Sequence, residues 1–115
     1  MANSVQIGQS VGGIEGATTA IAGVGTAQSG AAALPGAINI VSAASGQTAF
    51  VLPSNYPLNC PLYIINTSAV AGVVFPASGG SINGGSANAS KALSANDTSV
   101  FIQYGTNLWG SALGA

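Results

Sequence analysis

Along the last two-thirds of the chain, apolar residues come in short bursts separated by Gly, Pro, Asn and Ser. From Ala37 to Ser42, Ile38, Ile40 and Ser42 share one face and Asn39 and Val41 the other, the period-two pattern of a strand. Ser45-Gly46 then turns the chain into a strand from Thr48 to Leu52, which Pro53 ends. The proline-bearing stretch Ser54 to Pro61 reads as a rigid connection. Leu62 to Asn66 is a continuous apolar run, so both of its faces are expected to be buried. Gly72 to Phe75, Ser90 to Leu93 and Thr98 to Tyr104 complete the longer candidates, and Gly105-Thr106-Asn107 leads into Leu108-Trp109.

The stretch from Val73 to Gly85 carries the strongest local signal. A β-branched and aromatic run ends at Pro76, Gly79-Gly80 turns, Ile82 marks a short strand, and Asn83-Gly84 supplies the pair that tolerates positive φ. It reads as strand, turn, short strand, turn. Short strands with turn signals every eight to twelve residues predict an all-β fold, a small sandwich or barrel of short antiparallel strands. No helix is compelling.

Residues 1–36 differ. Gly, Ala, Ser, Thr and Gln dominate, with isolated Val5, Ile7, Val11, Ile14, Ile21, Val24 and Leu34. The glycine density defeats helical periodicity. Glu15 is the single charge, which sets the segment apart from ordinary charged disordered tails. An extended N-terminal arm over 1–36 is expected, ordering on a neighbouring protein, with Leu34-Pro35-Gly36 marking its boundary with a β-domain over 37–115.

Charge changes the picture most. One Lys and two acidic residues leave 3% of 115 residues charged, with no Arg or His and a net charge of −1. Ordinary soluble domains carry about 25%. Nucleic-acid binding, which depends on phosphate-neutralising cations, is excluded by a single Lys91. No window of about 20 residues is apolar enough for a membrane helix. The N-terminus lacks the basic and apolar regions of a secretory signal. An uncharged, small-residue surface suits close packing against protein, and an obligate assembly component is inferred.

Candidate chemistry is thin. Ser90 and Lys91 are adjacent, so on a strand they face opposite sides and cannot act as a dyad. Cys60 has no His to activate it and reads as a small buried apolar group. Two isolated carboxylates make no metal cage. Gly79-Gly80 and Gly84-Gly85 open no helix, so they are turn glycines rather than a phosphate cradle. Asn66-Thr67-Ser68, Asn88-Ala89-Ser90 and Asn96-Asp97-Thr98 fit the N-glycosylation pattern by composition. Tyr56, Tyr63, Tyr104 and Trp109 fit either a sugar-stacking surface or, as favoured here, a core or subunit interface. No catalytic, cofactor-binding or metal residue is assigned, and no enzyme or cofactor is expected. An ice-binding role, suggested by Ala, Thr and Gly, lacks a repeating Thr lattice.

The running order of motifs from Ala37 to Trp109 adds one further pointer. It comprises Ile38-Asn39-Ile40-Val41, Gly46 ahead of Val51-Leu52-Pro53, Leu62 to Thr67, Val74-Phe75-Pro76-Ala77-Ser78-Gly79, Ile82-Asn83-Gly84, Ala87-Asn88, Leu93, Ser99-Val100-Phe101 and Trp109. This order resembles a small β-domain that recurs in tailed-bacteriophage structural proteins, over about two-thirds of the chain. The pattern carries an Asp after the turn glycine where this chain has Gly80-Ser81, and residues before Gly36 take no part in it. The resemblance implies a capsid decoration (cement) protein, a homotrimer on the outer capsid surface of the virion that bridges capsomers, with the major capsid protein as partner. A fibre module binding host-surface glycans is the alternative.

Overall fold

The computed structural model describes residues 20–113, and these form ten strands in two sheets. In chain order they are β1 (Ile21–Ala22), β2 (Ala32–Ala33), β3 (Ile38–Ser42), β4 (Ala49–Val51) and β5 (Pro61–Asn66). β6 (Gly72–Phe75), β7 (Ser81–Ile82), β8 (Lys91–Leu93), β9 (Asp97–Gly105) and β10 (Leu108–Leu113) follow. The all-β class is as expected, and no helix forms among the described residues.

The winding is not the expected one. Sheet A runs β1-β3-β5-β9-β10-β7 and sheet B runs β2-β4-β6-β8, so strands alternate between sheets from β1 through β9, the first six as regular coils. Successive strands in each sheet therefore pair in parallel: β1 with β3, β3 with β5, β2 with β4, β4 with β6. The result is solenoid-like, each coil laying one strand in each sheet. Ile21 stands beside Val41 and Ile38 beside Tyr63, offsets of 20 and 25 residues, within the range of stacked coils. A sandwich or barrel of antiparallel strands is thus corrected. A link that crosses to the opposite sheet has the same length and polarity as a hairpin loop, so turn spacing cannot separate the two. Between the named strands, antiparallel pairing enters only at the end, where β9 joins β5 and β10, and β8 joins β6.

The expected arm divides accordingly. Residues 20–36 form the first coil: Leu34 is buried in the core and Ile21 and Ala32 pack against it. Residues 1–19 lie outside the described residues. The expected boundary at Leu34-Pro35-Gly36 is a corner within the wound body.

One apolar layer fills the space between the sheets. Val41, Leu62, Ile64, Phe101 and Trp109 enter it from sheet A, and Phe50, Val74 and Leu93 from sheet B. Trp109 is fully buried, its ring centroid 6.0 Å from that of Tyr56. Its indole Nε1 has no hydrogen-bond partner among the described residues. The continuous run of β5 is buried on one face only, Leu62, Ile64 and Asn66 pointing inward and Tyr63 outward. Apolar character alone could not reveal that nothing among the described residues covers the second face.

The Val73–Gly85 stretch also behaves differently from a hairpin. β6 belongs to sheet B and β7 to sheet A, where β7 lies parallel to β10. Asn83-Gly84 does make the expected turn, with φ of 56° and 70° and the Gly85 N–H donating to Ile82 O at 3.0 Å. The turn sends the chain back towards sheet B instead of joining paired strands. Gly80 is needed for space: a Cβ there would overlap the Asn107 side chain.

Side-chain amides close the ends of the layer. Asn66 Nδ2 donates to Val70 O at 3.0 Å and Ser94 O at 3.2 Å, and its Oδ1 accepts from Ser68 N at 3.0 Å. Asn39 bridges Gly36 and Tyr63 O, and Gln103 links Tyr56 O to the Asn107 N–H. All three are buried.

Phe50→Ala should lower the unfolding free energy by about 3–5 kcal/mol in urea titration. Trp109→Phe should cost less than Phe50→Ala, because it also removes the orphaned N–H. Asn66→Leu keeps the volume but strands the groups at Val70, Ser94 and Ser68, and a loss on the order of 3 kcal/mol is expected. A pH effect follows from Tyr56, whose hydroxyl donates to Pro61 O at 2.8 Å. Burial, and secondarily the Cys60 thiolate, raise its pKa above the ordinary 10.0. The folded state holds this proton more tightly than the unfolded chain does. The stabilisation is therefore complete below the unfolded value and disappears as pH rises through the raised one. Tyr56→Phe should flatten that alkaline decline in urea midpoints.

Candidate interaction surface

Strand parity dictates what sheet A shows to the outside. With Asn39, Val41, Leu62, Ile64, Ser99, Phe101 and Gln103 turned inward, the intervening residues must face away from the layer. The register aligns these outward residues in rows across the sheet. Ile38 pairs with Tyr63, Tyr63 with Val100, and Val100 with Ala112. A second row is Pro61, Ile102 and Gly110, and a third is Ile40, Ile65 and Thr98.

This face is apolar and open. Ile38 is 37% exposed, Tyr63 and Ile102 each 40%, and Tyr104 53%. Bulk is graded across it: Ile38, Ile40, Tyr63 and Ile65 crowd β3 and β5, whereas β10 offers Gly110 and Ala112 beyond Leu108 at its start. A shallow groove of about 240 Å³ follows the small side, lined by Val100, Ile102, Tyr104, Gly110, Ser111 and Ala112. Four strands about 4.8 Å apart, over three rows, span on the order of 400 Å². A patch of that size equals the largest apolar patch of a typical monomer, which is often functional.

Among the described residues no charged side chain stands within the three rows, and Asp97 lies at their margin, lining a depression with Ile65 and Thr98. Of the charged side chains in the described residues, Lys91 belongs to β8 of sheet B, and Asp97 shares the parity of inward Ser99 and Phe101. Asp97 Oδ1 accepts from the Thr98 N–H at 2.8 Å, the local turn bond the sequence suggests.

Elsewhere the structure offers little chemistry. A larger depression of about 470 Å³ is lined by Gln28, Ser29, Val51, Leu52, Ser54, Ala77 and Ser78, with no titratable side chain. No cluster of three His, Cys, Asp or Glu occurs among the described residues. Cys60 is exposed, contrary to the buried position expected for it. Asn59 takes φ 62° just before it, placing Cys60 in an outer turn ahead of β5. Ser90 lies outside β8, which begins at Lys91. Of the glycosylation-like asparagines, Asn66 is buried with its amide engaged, while Asn88 and Asn96 are exposed turn residues with φ of 67° and 52°.

The four aromatics singled out in the sequence separate into two pairs. Trp109 and half-buried Tyr56 pack at the core, whereas Tyr63 and Tyr104 stand on the outer face of sheet A. They do not converge on one stacking surface. The face itself went unnoticed in the sequence, although its signal was present: apolar residues occupy both parities of Leu62–Ile65 and Val100–Ile102, twice what one buried layer requires.

No family model matches the chain, and no curated protein or solved structure matches it.

Proposed function

We propose that this chain is a structural virion protein that decorates the outer surface of a bacteriophage capsid as a homotrimer bridging capsomers, with the major capsid protein as its partner. The observation that carries the structural part is the continuous, uncharged outer face of sheet A. It suits permanent protein contact. The motif order from Ala37 to Trp109 supplies the capsid setting. Low charge has a mechanical rationale here, because closing a shell contact over ions would remove them from water at several kcal/mol each. A decorating protein works by adding contact area that resists the outward pressure of packaged DNA.

Residues 1–19 are the segment for gripping the shell. The first coil cannot serve in the same way, since Leu34 belongs to the core. The alternative, a fibre module that holds glycans, draws on exposed Tyr63 and Tyr104.

Two measurements test the reading. Quantitative mass spectrometry of purified particles should find the chain in numbers comparable with the major shell protein. Numbers comparable with the fibres, or binding on a glycan array, would favour the alternative. Deleting residues 1–19 should abolish binding to empty shells while leaving the far-ultraviolet circular dichroism of the coils unchanged. Full occupancy by the truncated protein would sink the role given to that segment.

A further inference from the structure

We propose that the outer face of sheet A is where copies of this chain pack on one another. The proposal deepens the homotrimer reading by naming its contact surface, and depends on that reading only for the number of copies.

Charge is the first argument for a second copy as the occupant. A face without charges asks for no complementary ions from a foreign partner. Copies of net charge −1 also repel each other weakly, and proteins near neutrality associate with themselves. The second argument is shape. The row from Ile38 through Tyr63 and Val100 to Ala112 falls from bulky to small across the four strands. A rotation axis parallel to the strands brings the β3 side of one copy over the β10 side of the next. Ile38 and Tyr63 of one copy then face the groove beside Gly110 and Ala112 of the other. A two-fold axis makes this contact face to face, and a three-fold axis makes it head to tail, the β3 side of each copy meeting the β10 side of the next. An axis across the strands would instead set bulk against bulk.

Area is the third. A stable interface covers about 800 Å² on each partner, with an apolar centre and a polar rim. The apolar rows, on the order of 400 Å² before side-chain relief is counted, supply such a centre. Polar rim groups are available in Thr98 and Thr106.

The test is sedimentation velocity of the full chain over a wide concentration range, with melting followed in parallel. The wild-type chain should sediment as an oligomer. Ile102→Lys places an unpaired ammonium in the Pro61–Ile102–Gly110 row, beside the groove, and should raise the dissociation constant by about a hundredfold or more while the monomer keeps its sheet spectrum. Ile102→Ala removes only surface bulk and should raise it about tenfold, which preserves the test if the Lys variant does not fold. Val24→Lys, at an exposed position off the face, should assemble as wild type does. A wild-type chain that stays monomeric would falsify the proposal. So would a folded Ile102→Lys or Ile102→Ala chain that assembles normally, or a Val24→Lys chain that dissociates as readily as Ile102→Lys. A two-fold mass that responds to Ile102 supports the surface and overturns the trimer. An oligomer that fails to bind shells overturns the capsid reading and leaves the surface standing.

Discussion

A backbone wound between two sheets must leave one ladder and enter the other at every corner, and there its N–H and C=O groups lose their strand partners. An unpaired buried backbone group costs about 1–3 kcal/mol, so the coils depend on supplying those partners. In this chain they come from amide side chains. Asn66 collects the loop from Ser68 to Val70 and the end of β8, Asn39 holds the corner at Gly36, and Gln103 ties the Tyr56 loop to the β9–β10 turn. Ionic side chains would satisfy such corners only with a heavy desolvation cost in a body this thin. The shortage of charge and the abundance of asparagine are thus two sides of one solution.

Asparagine serves the turns as well. Asn59, Asn83, Asn88, Asn96 and Asn107 all adopt positive φ, a region that most residues avoid and asparagine tolerates through local hydrogen bonding. That is why strand boundaries were legible: β3, β4, β5, β6, β8 and β9 each begin and end within a residue or two of the turn signals. Sheet membership was not legible. Nothing local to Ser45-Gly46 says whether Thr48 returns beside β3 or crosses to the opposite sheet. Residues 21–34 were obscure for a related reason, since strands of two residues with alanine side chains leave no periodic trace. Their place in the body comes from the neighbours they pair with.

The candidate surface was half legible. Scarcity of charge pointed to protein contact, and the doubly apolar runs of β5 and β9 held its residues. What the sequence lacked was the knowledge that one layer of side chains satisfies the fold. Once Leu62, Ile64 and Phe101 fill that layer, Tyr63, Ile65 and Ile102 are surplus to the monomer, and their chemistry is available to another molecule.

The change from parallel winding to antiparallel closure sets the order in which the chain can fold. Coil-to-coil pairs join residues about twenty positions apart, whereas Pro61 meets Ile102 and Leu62 meets Phe101 across some forty. Early coils can stack as they emerge from synthesis, but sheet A leaves the long edge of β5 open until β9 arrives. That interval is when the nascent chain is most exposed to pairing with a copy of itself through its backbone. Closure by β9 and β10 therefore separates two kinds of association in time: strand exchange beforehand, and the packing of finished faces afterwards.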